Sequence, residues 1–130
     1  MKRFITLMAI LWSFILSAQD SWVNVQFDFD GYAEEVSWNL YSGTDSVPIA
    51  SGGNYADGQA EAFHQIDSLN SGDYTFELLD AYGDGLGWPP DNLGWCLIFN
   101  DCQEELFYVE GNYGAGVIQT FNLEPCALPE

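Results

Sequence analysis

The stretch Asp80-Ala81-Tyr82-Gly83-Asp84-Gly85 sets two carboxylates four residues apart around glycine. Glycine lets the chain turn tightly there and gather side-chain and main-chain oxygens. Oxygen donors at that density suit Ca²⁺, which takes six to eight of them at about 2.3–2.6 Å. The segment is not an EF-hand loop, because it lacks the spaced third acid and the glutamate at position 12. Asp30, followed by Glu34 and Glu35, and Asp91 add further acids, so the candidate calcium ligands are Asp30, Glu35, Asp80, Asp84 and Asp91. Two carboxylates about 4 Å apart repel by about 4 kcal/mol at an effective dielectric near 20, so such a cluster calls for a cation.

The chain supplies almost none of its own. Its 130 residues carry 20 acidic side chains and only two basic ones, Lys2 and Arg3. Both stand ahead of an apolar run from Phe4 to Leu16 that ends in Ser17-Ala18, the pattern of a secretory signal peptide over residues 1–18. Cleavage after Ala18 moves the formal charge from −18 to −20 and leaves 112 residues without lysine or arginine. Nucleic acid, phosphate-rich ligands and anionic membranes are then poor partners. Cations and basic surfaces are the expected ones. No later segment approaches the ~20 apolar residues of a membrane helix, so no membrane insertion is expected.

Other chemistry finds little support. The single histidine, His64, lies beside Phe63 and reads as a strand residue, and there is no G-x-S-x-G turn for a serine hydrolase, only Ala50-Ser51-Gly52. Of the three cysteines, Cys102 in a hairpin turn and Cys126 past the last strand form the favoured disulfide, while Cys96 alternates with Ile98 and reads as a core thiol. Trp88 and Trp95 could form a sugar-stacking platform beside a metal, with Trp88, Tyr82 and Asn92 the candidate ligand-binding residues, while loop anchoring for Trp88 and core packing for Trp95 are the plainer readings. Glycoside hydrolysis by two carboxylates depends on their separation in space, which composition does not give.

The elements that must position these groups are strands. Aromatic residues at 16% and 13 glycines favour a β domain. Apolar alternation breaks every eight to twelve residues at Gly, Asn, Asp or Pro. Strands are expected at Trp22–Phe29, Val36–Ser42, Val47–Ser51, Gln59–Ile66, Tyr74–Leu79, Trp95–Asn100, Glu105–Val109 and Val117–Leu123, with no helix. An internal repeat runs through them at an offset of 58 residues. Gly53-Asn54-Tyr55 recurs as Gly111-Asn112-Tyr113, Asn39-Leu40-Tyr41 falls on Leu97-Ile98-Phe99, and Phe63 falls on Phe121. Upstream the register slips by eight, so that Asp30-Gly31-Tyr32 matches Asp80-Ala81-Tyr82, and the extra residues fall in the 80–92 loop. The expected fold is all-β: a two-sheet antiparallel β-sandwich of jelly-roll type, its eight strands coming from two four-strand pseudo-repeats whose apolar faces share one core. One domain covers residues 19–130, with its core at 22–123 and a short tail at 124–130.

Four segments in order, Asp30-Gly31-Tyr32-Ala33-Glu34-Glu35-Val36-Ser37-Trp38, Ile49-Ala50-Ser51-Gly52-Gly53-Asn54-Tyr55, Gly72-Asp73-Tyr74-Thr75-Phe76 and Asp80-Ala81-Tyr82-Gly83-Asp84-Gly85, resemble a noncatalytic module of secreted bacterial proteins that accompanies peptidase and adhesin domains. The resemblance spans nearly all of residues 23–123 and implies a β-sandwich accessory domain with no defined reaction. Three departures bear on the family's disulfide pattern: Ala33 stands where proline is usual, Leu86-Gly87-Trp88-Pro89-Pro90 replaces a cysteine-containing segment, and a cysteine pair before Tyr74 is missing.

The expected function is a secreted, calcium-stabilised, monomeric binding or adhesion module, not an enzyme, acting at the cell surface or outside the cell on a glycan or a protein surface. The alternatives are a small carboxylate-dependent glycan hydrolase and a purely structural secreted protein. Exported material is expected to begin near Gln19 and to resist trypsin even when denatured. Mass spectrometry of secreted protein checks this, and retention of Lys2 and Arg3 would contradict it.

Overall fold

The computed structural model describes residues 20–88 and 92–127, so the segment expected to be a signal peptide and Asp91 lie outside the described residues, as do the side chains of Trp88 and Asn92. In chain order the elements are β1 (Ser21–Asp28), a 3₁₀ turn (Ala33–Glu35), β2 (Val36–Ser42), β3 (Ala50–Gly52), β4 (Glu61–Leu69) and β5 (Gly72–Asp80). After them come β6 (Gly87–Trp88), β7 (Asn92–Leu93), β8 (Trp95–Asn100), β9 (Glu105–Glu110) and β10 (Gly116–Leu123). All eight expected strands are present. The 80–92 loop adds the β6–β7 hairpin, too short to show as alternation, and β3 is shorter than expected because Val47 and Ile49 flank Pro48 in an exposed loop.

Two antiparallel sheets, ordered β4-β1-β8-β9 and β10-β5-β2-β3, make the sandwich. Replacing β1, β2, β3 and β4 by β5, β8, β9 and β10 converts the first order into the second, so the repeat is visible in the topology. The halves do not each form a sheet, however. Each half contributes two strands to either sheet, because only β2–β3 and β8–β9 are hairpins within one sheet and the remaining connections cross the sandwich. The spatial order is that of a jelly roll with the chain ends moved by two strands.

Alternation supplies the core. Val23, Val25 and Phe27 of β1 face Trp38 and Leu40 of β2 and Phe76 and Leu78 of β5, all essentially buried. Phe76 on one sheet meets Phe107 on the other with ring centroids 5.4 Å apart. Cys96 is a free, fully buried core thiol, as expected, and burial raises its pKa. The Cys102–Cys126 disulfide is formed and ties the tail to the β8–β9 turn. Trp95 departs from expectation: it is only half-buried, on the outer face of β8, while Cys96 and Ile98 take the inner one. Phe63 and Phe121 are not equivalent either. Phe63 is 60% exposed and Phe121 only 9%, a one-residue slip of the repeat that turns the side chain to the other face.

The core holds one polar relay. Trp38 Nε1 donates to Tyr55 Oη at 2.9 Å, and Tyr55 Oη lies 2.8 Å from His64 Nε2. Since indole N–H can only donate, the Tyr55 oxygen accepts from Trp38 and the same hydroxyl is hydrogen-bonded to the His64 ring. Burial lowers the His64 pKa below its ordinary 6.5. Its contribution to stability is thus present above pH 6.5 and lost as pH falls through the depressed native value. Tyr55→Phe leaves the buried Trp38 N–H without an acceptor and is expected to cost about 1–3 kcal/mol. Urea unfolding above pH 6.5 checks this, and an unchanged midpoint would show that the relay contributes nothing.

Candidate metal centre

The two central strands β1 and β5, one from each sheet, run into the same end of the sandwich and finish beside Asp30 and Asp80. Both aspartates are 4% exposed. The 3₁₀ turn brings Glu35 to them: the Glu35 amide donates to Tyr32 O at 3.2 Å, and Glu35 O accepts the Ala81 amide at 2.9 Å, locking the turn to the 80–92 loop. Buried Leu86 holds that loop in the core, and its amide donates to Gly111 O at 2.9 Å. Gly85, at φ +69°, lies so close to Tyr113 that an added Cβ would stand 2.5 Å from its backbone nitrogen. Only glycine fits there.

Carboxylate oxygens of Glu35, Asp80 and Asp84 all lie within 4.8 Å of one another. Asp80 Oδ1 accepts the amides of Gly83 at 2.5 Å and Asp84 at 3.1 Å. Asp80 Oδ2 is buried and has no hydrogen-bond partner among the described residues. The hydroxyl of Tyr113 is in the same position, and its pKa is raised by burial and then by the nearby charges of Asp80, Cys96, Asp30 and Asp84. Burial, followed by the charges of Asp84 and Asp80, raises the Asp30 pKa against the lowering pull of the Tyr32 amide. Burial and the neighbouring Asp80 and Asp84 raise Glu35.

Of the acids expected from the sequence, the structure therefore converges Glu35, Asp80 and Asp84, with Asp30 adding its charge nearby. Two ligands of one ion can be no further apart than twice the bond length, about 4.6–5.2 Å for Ca²⁺ and about 4.2 Å for Mg²⁺. Oxygens gathered within 4.8 Å of one another are close enough to share one such ion. The orphaned Asp80 Oδ2 is the donor such an ion would use. Tyr113 was not foreseen as part of this site, although the repeat with Tyr55 marks it. A second acid group, Asp101 with Cys102 and Cys126, is no metal site, because the two sulfurs are bonded to each other.

A cleft of about 210 Å³ opens above the acids, lined by Tyr32, Glu35, Tyr82 and Asp84. A larger depression of about 430 Å³ lies at the opposite end of β5, beside Asp73, Tyr74 and Asn122, and no acid cluster accompanies it. Among the described residues no helix is long and apolar enough to cross a membrane. Comparison of the chain with protein-family models, with characterised proteins and with solved structures found no match.

The raised carboxylates fix a pH dependence. A carboxyl whose native pKa is raised contributes stability that is full below its unfolded value, ordinarily 3.8 for Asp30 and 4.5 for Glu35, and is lost as pH rises through the raised native values. A cation held by this cluster would compete with protons for the Glu35 oxygens. The gap in melting temperature between calcium-loaded and chelator-treated protein is expected to narrow as pH falls through those raised values, with His64 cancelling between the two arms. Thermal melts across an acid pH series check this, and a gap independent of pH would contradict it.

Proposed function

We propose that this chain is a secreted, noncatalytic β-sandwich module that binds an extracellular glycan or protein surface through its loop end and is locked there by one calcium ion. The observation that carries the reading is Asp80 Oδ2, buried without a partner against Glu35 and Asp84 in a region that has no lysine or arginine. Each carboxylate pair at this spacing repels by at least about 3 kcal/mol at an effective dielectric near 20. A divalent cation reverses the sign of that interaction. The Cys102–Cys126 disulfide fits an oxidising compartment, as the N-terminal leader pattern does. The resemblance to accessory modules of exported proteins supports a binding role. Against the rival glycan hydrolase, Asp80 is buried and the two acids that line the cleft, Glu35 and Asp84, offer oxygens within 4.8 Å of each other, a spacing for sharing an ion.

Calcium a hundredfold above its dissociation constant is expected to stabilise the fold by about 2.7 kcal/mol, a rise of roughly 10 °C in melting temperature for a domain near this size. Asp80→Asn or Asp84→Asn removes most of that rise, whereas Asp45→Asn, in an exposed turn away from the cluster, leaves it intact. Scanning calorimetry with calcium or with sodium chloride at matched ionic strength decides the matter. Equal stabilisation by sodium, or equal responses of the three variants, would mean that only screening is at work. Glycan turnover abolished by a single carboxylate substitution would favour the hydrolase.

A further inference from the structure

The cleft above the acids has a composition that names its ligand class. Its walls are two exposed tyrosines, Tyr82 at 76% and Tyr32 at 44% exposure, and two half-buried carboxylates, Glu35 and Asp84. Both carboxylates cluster with Asp80, which is buried and whose Oδ2 has no partner among the described residues. We propose that this cleft is a saccharide site in which two adjacent hydroxyls of one sugar ring complete the coordination of the calcium ion while the ring's C–H face lies against Tyr82, with Tyr32 on the other wall. The proposal rests on the calcium reading given above.

Three observations lead to a polyol. Glu35, Asp80 and Asp84 each bring one oxygen to the cluster, three against the six to eight that calcium takes, so positions remain for oxygens from outside the protein. Glu35 and Asp84 line the open cleft as well as the cluster, so those positions are reachable from solvent. The ligand's oxygens must also come without net negative charge, because the described residues contain no lysine or arginine to hold an anion against the surrounding acids. Vicinal hydroxyls meet that condition, and they belong to a molecule with an apolar face for exposed aromatic rings. An ammonium or guanidinium side chain from a partner protein would instead compete with calcium for the same carboxylates.

Saturation-transfer NMR on the full folded domain tests this with methyl α-mannoside, methyl α-fucoside and methyl β-galactoside at millimolar concentration, each beside its permethylated form. The expected result is binding of at least one free sugar in calcium, none of the permethylated forms, and loss of the signal with chelator. Tyr82→Ala, at an exposed position, is expected to weaken binding about tenfold while the calcium-induced rise in melting temperature is unchanged. If calcium raises the melting temperature and none of the three sugars binds, the saccharide inference is overturned and the calcium reading stands. Sugar binding that survives chelator, or oligolysine binding that calcium displaces, also overturns it. No calcium response and no sugar binding would overturn both.

Discussion

Mutual repulsion of carboxylates with no basic side chain to relieve it is the constraint on which this structure turns. Asp30 follows β1 and Asp80 ends β5, central strands of opposite sheets, and both are buried at one end of the sandwich. Glu35 and Asp84 then enter from the adjoining turns. In most domains a lysine or arginine would neutralise such a meeting point. Here the sequence has 20 acids and only two bases, Lys2 and Arg3, and neither base is among the described residues.

The pseudo-symmetry of the sandwich shows how the two halves diverged around this point. Tyr55 and Tyr113 occupy corresponding places after β3 and β9. In the first half the tyrosine hydroxyl is satisfied by Trp38 and His64. In the second half Cys96, a thiol with little to offer a hydroxyl, stands 58 residues on from Trp38. Tyr113 is therefore left with a buried, unpartnered hydroxyl near the acids. One half of the repeat closed its polar network internally, and the other left it open toward the acid end, where the chain also lengthened.

Much of this is legible in the sequence. Val36–Ser42 and Trp95–Asn100 are bounded as the alternation predicts, and the 58-residue offset foretells a topology that maps onto itself. The convergence of Asp80, Asp84 and Glu35 was legible as a set of acids too crowded for an uncharged neighbourhood. What stayed hidden depends on long-range geometry. The face of Phe63 turns on a one-residue slip, and the β6–β7 hairpin is too short to carry a period. The role of Glu35 comes from a single 3₁₀ turn, and the orphaned state of Asp80 Oδ2 and the Tyr113 hydroxyl exists only once the sheets are packed.

The central claim is that one calcium ion sits on Asp80 Oδ2 between Glu35 and Asp84. A crystal structure of the domain grown with calcium tests it most directly. The account predicts a single ion with oxygen ligands at about 2.3–2.6 Å, Asp80 Oδ2 among them. A structure in which that oxygen meets only water, or a hydrogen-bond donor of the protein, with no ion in contact with the three carboxylates, would contradict it.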